Sequence, residues 1–186
     1  MSPLMKAKNP TNLYFLALIP DDQTAAEIMA MKQSVADNFK SKGALRSPPH
    51  ITLHMPFKWR ADREDQLLGK LSDFKFDDYP FEVELDGYDF FEPRVVFVRV
   101  VNNESLKQLH HEVTTFVRRS FNILNADYKA RGFHPHITIG FRDLRKNLFP
   151  QVIAEYKDKS YNKSFSVSRI CLLKHSGDHW KPFKYF

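Results

Sequence analysis

The sequence predicts an α+β fold with mainly antiparallel sheets, and three observations carry that prediction. Strand-like runs alternate with amphipathic segments in the order strand, helix, strand, helix, two strands, helix, strand, helix, then one or two closing strands. The two consecutive strands in the middle are separated by little more than Glu92-Pro93, which suits an antiparallel hairpin. No glycine-rich phosphate loop of either familiar spacing occurs, and the chain holds only six glycines, which argues against a nucleotide-cofactor domain.

Leu13 to Ile19 is a continuous apolar and aromatic run ended by Pro20, the pattern of a strand buried on both faces. Asp21 or Asp22 can cap the helix that follows. In it Ala25, Ile28, Met29, Val35 and Phe39 fall at helical spacing, before Gly43 and the Pro48-Pro49 pair close the segment. His50 to His54 is short and β-branched at its centre, so it reads as a strand. A second helix begins at Asp62 and carries Leu67, Leu68, Leu71 and Phe74. The run from Phe81 to Asp86 alternates with period two, as a half-exposed strand does, and Arg94 to Val101 is its hairpin partner. A third helix carries Leu106, Leu109, Val113, Phe116 and Val117 and ends near Phe121. His136 to Phe141 is a second short strand, and a fourth helix includes Val152, Ile153 and Tyr156. Phe165 to Leu173 and Trp180 to Phe186 close the chain as strands.

The 186 residues, 42% of them hydrophobic, suit one domain made of two lobes that bury a core where they pack. The lone cysteine, Cys171, excludes an intramolecular disulfide and a cysteine-built zinc site, and a cytoplasmic location is expected. Leu13 to Ile19 is too short to span a bilayer and no cleavage pattern follows it, so neither membrane nor export is expected. Charge is uneven: residues 1–100 hold 13 basic and 15 acidic side chains, residues 101–186 hold 15 and 7. An anionic partner fits that asymmetry.

Pro49-His50-Ile51-Thr52-Leu53 recurs as Pro135-His136-Ile137-Thr138-Ile139. A tetrapeptide repeats by chance in about one chain in ten of this length, so the weight lies on the chemistry of the pattern. In a strand, residues i and i+2 project from one face, which puts each histidine beside its threonine and turns the intervening isoleucine inward. Two such pairs facing each other present two imidazoles and two hydroxyls to one small tetrahedral anion. Imidazole titrates near pH 6.5, so one ring can act as base while the other acts as acid, with Thr52 and Thr138 donating to non-bridging phosphate oxygens. No metal or other cofactor is needed. Arg131, Arg142 and Lys174 are candidate cations for the same anion.

These residues resemble the two-histidine phosphoesterase superfamily, whose mark is two copies of His-x-(Thr/Ser)-x with hydrophobic x. His50-Ile51-Thr52-Leu53 and His136-Ile137-Thr138-Ile139 both satisfy it, and Leu13 to Pro20 is similar to that family's first strand. The nearest resemblance is to the RNA 2',5'-ligase-like and cyclic phosphodiesterase branch. It implies a bilobal α+β fold with a pseudo-two-fold axis, two mainly antiparallel sheets with helices outside, and one motif from each lobe lining a central cleft. It also implies a metal-independent phosphodiesterase acting on a 2',3'-cyclic phosphate or on a 2',5'-linked nucleotide or RNA end, expected to be a monomer. The alternative is a module that binds RNA or nucleotide phosphate without turnover.

The remaining histidines and aromatics have plainer readings. His54 and His134 sit on the motif strands, on the face of the catalytic histidines, as cleft wall or structural residues, since no His-Glu-x-x-His helix accompanies them. His110 and His111 read as a surface pair on a helix. Phe57, Phe133 and Phe141 are candidates to stack a nucleobase, against a background of 17 phenylalanines of which most must be core.

Overall fold

The alternating and helical patterns resolve into two four-stranded antiparallel sheets in a computed structural model that describes residues 9–124 and 132–186. The first sheet has the order β2 (Ile51–Arg60), β1 (Thr11–Leu18), β7 (Cys171–Ser176), β8 (His179–Tyr185). The second has the order β5 (His136–Gly140), β4 (Val95–Val100), β3 (Phe81–Phe91), β6 (Asn162–Val167). The described residues also form four α-helices: α1 (Asp22–Phe39), α2 (Glu64–Ser72), α3 (Glu104–Phe121) and α4 (Phe149–Tyr156). No helix among the described residues is long and apolar enough to cross a membrane.

Both motif strands, β2 and β5, are edge strands, and they meet each other where the two sheets adjoin. The connecting helices cross over. α1 links β1 to β2 yet packs on β5, and α3 links β4 to β5 yet packs on β2. One large core results, drawing Leu16, Leu18 and Leu172 from the first sheet, Val83, Val96 and Val98 from the second, and Ile28, Leu67, Leu109 and Val152 from the helices. β1 is buried on both faces because its alternate residues Phe15 and Ala17 join Cys171 and Leu173 in a second cluster on the opposite side of the sheet.

Local chemistry sets these elements in place. The Asp21 carboxylate caps α1 by accepting from the Thr24 amide at 3.0 Å, and Asn103 caps α3 by accepting from Leu106 at the same distance. Both helices end on a left-handed residue, Lys40 and Asn122. Gly140 closes β5 against α1, where a Cβ would stand 2.8 Å from Val96 Cγ1 and 3.0 Å from Val35 Cγ1, so only glycine lets helix and strand approach this closely.

Three strand boundaries differ from the sequence reading, the first being that of β3, which runs on past Asp86 to Phe91. β2 continues past His54 to Arg60, pairing with β1 out to Thr11, and it tolerates Pro56 because it is an edge strand. Phe165 to Leu173 is not one strand but parts of two, β6 and β7, which belong to different sheets.

Candidate active site

His50 immediately precedes β2 and His136 opens β5, each held in the same way. The Nδ1 of His50 lies 2.8 Å from the carbonyl oxygen of Pro48, and that of His136 lies 2.7 Å from the carbonyl oxygen of His134. A carbonyl only accepts, so Nδ1 carries the proton in both rings and donates it, leaving each Nε2 free to exchange a proton with a ligand. The proline between carbonyl and histidine, Pro49 or Pro135, fixes the intervening φ and holds the preceding residue extended. Each ring also packs on a phenylalanine of the neighbouring strand: His50 on Phe15 of β1 and His136 on Phe97 of β4, both with centroids 4.9 Å apart and planes near 50°.

The threonines follow the expected alternation. Ile51 and Ile137 are fully buried, whereas Thr52 and Thr138 are partly exposed on the same face as their histidines. Burial pushes the His50 imidazole down to about 4, helped by the charges of Lys32 and His136 and opposed by the Pro48 hydrogen bond. Burial also lowers His136, with the His134 carbonyl opposing and the His134 ring adding to the effect. The charge of His136 adds a small further push to His50, and the two motif strands β2 and β5 touch.

Aromatic side chains that the sequence reading left in the background flank this pair. Phe91, 39% exposed at the end of β3, stands 5.1 Å from His136 and 4.5 Å from Phe97. On the other side Trp180 of β8 meets Phe15 edge-on at 4.7 Å and His175 at 4.8 Å. The signal for Phe91 and Trp180 is weak in sequence, since neither lies near a motif in the chain.

Several expected site residues lie elsewhere. Phe57 is 4% exposed in the main core, 6.1 Å from Tyr14 and edge-on to His54, so it faces away from the histidine pair. Lys174 shares the face of Tyr14, opposite Phe15 and His50, where it pairs with Glu64 and covers the Phe183 ring. Phe141 follows β5 with the Arg142 guanidinium 4.7 Å over its ring, and Arg131 is outside the described residues. His54 does not share the face of His50. Register shifts between β1 and β2 bury both Leu53 and His54, leaving His54 1% exposed with Nδ1 on the Met55 carbonyl. His110 is no plain surface residue either, for its ring stacks on Phe133 at 3.9 Å and burial pushes it down to about 4. Among the described residues no group of three or more histidine, cysteine or acidic side chains is placed to hold a metal.

Two further residues support the motif segments. Asp143, just beyond β5, accepts from Ser41 Oγ at 2.7 Å and from the Lys42 and Gly43 amides at 2.7 and 2.9 Å, tying the segment after one motif to the linker before the other. Lys32 of α1 is 1% exposed and donates at 2.9 Å to the carbonyl of Ser47, three residues before His50. Its signal was present, a lysine inside the stripe formed by Ile28, Val35 and Phe39.

A family model described as the 2'-5' RNA ligase superfamily matches residues 20–179. A Geobacillus thermodenitrificans (strain NG80-2) protein that bears phosphoesterase in its name is 27% identical over 128 residues, 68% of this chain and 69% of its own length. Among solved structures, Escherichia coli LigT complexed with 3'-AMP is 21% identical with a TM-score of 0.64, covering 95% of this chain and 98% of that one. TT0787 of Thermus thermophilus is 17% identical with a TM-score of 0.61, covering 94% and 96%.

Proposed function

The chain belongs to the 2'-5' RNA ligase superfamily, whose solved relatives share its fold, and we propose that it is a metal-independent phosphodiesterase using His50 and His136 as its acid–base pair. Its substrates on this reading carry a 2',3'-cyclic phosphate or a 2',5'-linked nucleotide or RNA end. The observation that carries the proposal is the matched anchoring of the two rings, each with Nδ1–H committed to a backbone carbonyl and Nε2 free. One Nε2 takes a proton from the attacking water as its oxygen bonds to phosphorus. The other ring, protonated on both nitrogens, gives its Nε2 proton to the ribose oxygen as the phosphorus–oxygen bond breaks. Thr52 and Thr138 donate to the non-bridging oxygens, where negative charge builds up. Phe91 beside His136 and Trp180 on the His50 side offer faces for the flanking bases. The LigT structure holds 3'-AMP, a ribonucleotide with its phosphate on the 3' oxygen.

We read the architecture as two pseudo-symmetric lobes within one domain, each contributing a strand, a helix and a His-x-Thr strand. The matching order of β1, α1, β2 and β4, α3, β5 supports this, as do the equivalent Phe15–His50 and Phe97–His136 contacts.

The test is product analysis on 2',3'-cyclic and 2',5'-linked nucleotides with EDTA present, comparing wild type with His50→Ala and His136→Ala. Each substitution is expected to lower kcat by about 10²- to 10⁴-fold, the usual contribution of one acid or base. Full activity in both variants refutes the two-histidine mechanism. Binding without turnover from about pH 5 to about pH 9 replaces the enzyme reading with a phosphate-binding one.

A further inference from the structure

The two histidines share the same backbone anchor and a phenylalanine beneath the ring, and among the side chains that differ between them is a buried lysine. Lys32 lies within the apolar stripe of α1, 1% exposed, and no carboxylate among the described residues lies within 4.0 Å of its ammonium. Its hydrogen-bond acceptor is the neutral carbonyl of Ser47 at 2.9 Å. Burying an ammonium without a counter-charge is costly, and here burial pushes the group down to about 7. Such a residue has no evident use in the core. It does have a place in the site, because Ser47, Pro48 and Pro49 form the short run from which His50 hangs, with Pro48 holding the ring.

We propose that Lys32 is a positioning residue for His50: it anchors the Ser47 to Pro49 run and, as a buried cation behind that run, adds to the burial that keeps His50 neutral, making His50 the base and His136 the acid in hydrolysis. Among the described residues the charged and titratable groups acting on His50 are Lys32 from α1 and His136 from β5, while Phe15 from β1 is neutral. The His136 ring is influenced instead by its neighbour His134, and among the described residues no buried lysine acts on it. In the forward step His50 Nε2 accepts the water proton as the new oxygen–phosphorus bond forms. His136 Nε2–H protonates the departing ribose oxygen as the old bond breaks, and exchange with solvent resets both rings. The chemical half of this assignment rests on the phosphodiesterase reading, whereas the electrostatic half does not.

The experiment is an NMR titration of the imidazoles in wild type, Lys32→Met and Lys32→Arg, paired with the pH profile of kcat/KM on a 2',3'-cyclic nucleotide. In wild type His50 is expected to titrate below His136. In Lys32→Met its midpoint rises by about one pH unit, a factor of about ten in protonation, while that of His136 stays in place, and Lys32→Arg restores it. The acidic limb of kcat/KM moves up with it, because activity is lost as the base becomes protonated. A His50 midpoint at or above that of His136 in wild type overturns the assignment without recourse to any variant. So does a midpoint unmoved by the methionine. Wild-type protein that titrates as expected but turns over no cyclic or 2',5'-linked nucleotide sustains the electrostatic half and overturns the catalytic one.

Discussion

Replacing Lys32 by methionine has an effect on stability whose sign and size follow from its surroundings. The side chain is 1% exposed, and burial takes its pKa from 10.5 to about 7. At about 1.4 kcal/mol per pH unit, the charged form costs the fold roughly 5 kcal/mol below pH 7. Methionine removes that cost and fills similar space, but it forfeits the hydrogen bond to the Ser47 carbonyl, worth about 1.5 to 3 kcal/mol for a charged donor. The net expectation is a gain of about 2 kcal/mol at pH 6, or about 4 to 8 °C in Tm for a chain of this size. The folded pKa lies below the unfolded one, so the unfolded chain binds the extra proton between about pH 7 and pH 10.5 and wild-type stability rises with pH across that window. The advantage of methionine therefore shrinks toward zero by about pH 9. Urea denaturation of both proteins at the two pH values, with m compared to confirm two-state unfolding, reads this directly. A variant less stable than wild type at pH 6, or an advantage that grows with pH, refutes the reasoning.

Three further outcomes follow from other parts of the fold. Gly140→Ala places a methyl 2.8 Å from Val96 Cγ1 and 3.0 Å from Val35 Cγ1 and is expected to cost about 1 to 3 kcal/mol in chemical denaturation; an unchanged midpoint would mean that α1 and β5 separate freely. Asp143→Ala removes the acceptor for Ser41 Oγ and for the Lys42 and Gly43 amides, with an expected loss of about 2 kcal/mol and a fall in turnover of about tenfold as the two motifs lose their tie. Unchanged denaturation and turnover would contradict that role. Acid is expected to destabilise the protein between pH 6.5 and 4, before the carboxylates titrate. His50 and His110 are each pushed from 6.5 to about 4 by burial, so the unfolded chain takes up protons first, and stability that is complete above pH 6.5 falls by roughly 2 to 3 kcal/mol per histidine at pH 4. Thermal denaturation across that range checks it, and a flat profile would show that neither ring is held neutral.

Much of this molecule was decided by short stretches of chain. Apolar runs and helical spacing set the order of strands and helices, Asp21 and the hairpin at Glu92-Pro93 included, because these depend on neighbours a few residues away. The Pro-His-Ile-Thr stretches likewise contain their own anchoring, since the carbonyl that each imidazole uses lies two residues earlier. What the chain alone did not decide is which distant faces meet. His54 shares the parity of His50, yet the register shifts against β1 turn it into the core; Lys174 faces Glu64 because β7 pairs with β1 in a register that aligns it with Tyr14. Sheet order brings Phe91 to His136 and Trp180 to the Phe15 ring beneath His50, and tertiary packing ties Asp143 to Ser41 and Lys32 to the Ser47 carbonyl. Periodicity tells which residues share a face, but burial and pairing between segments far apart in sequence determine what that face looks upon.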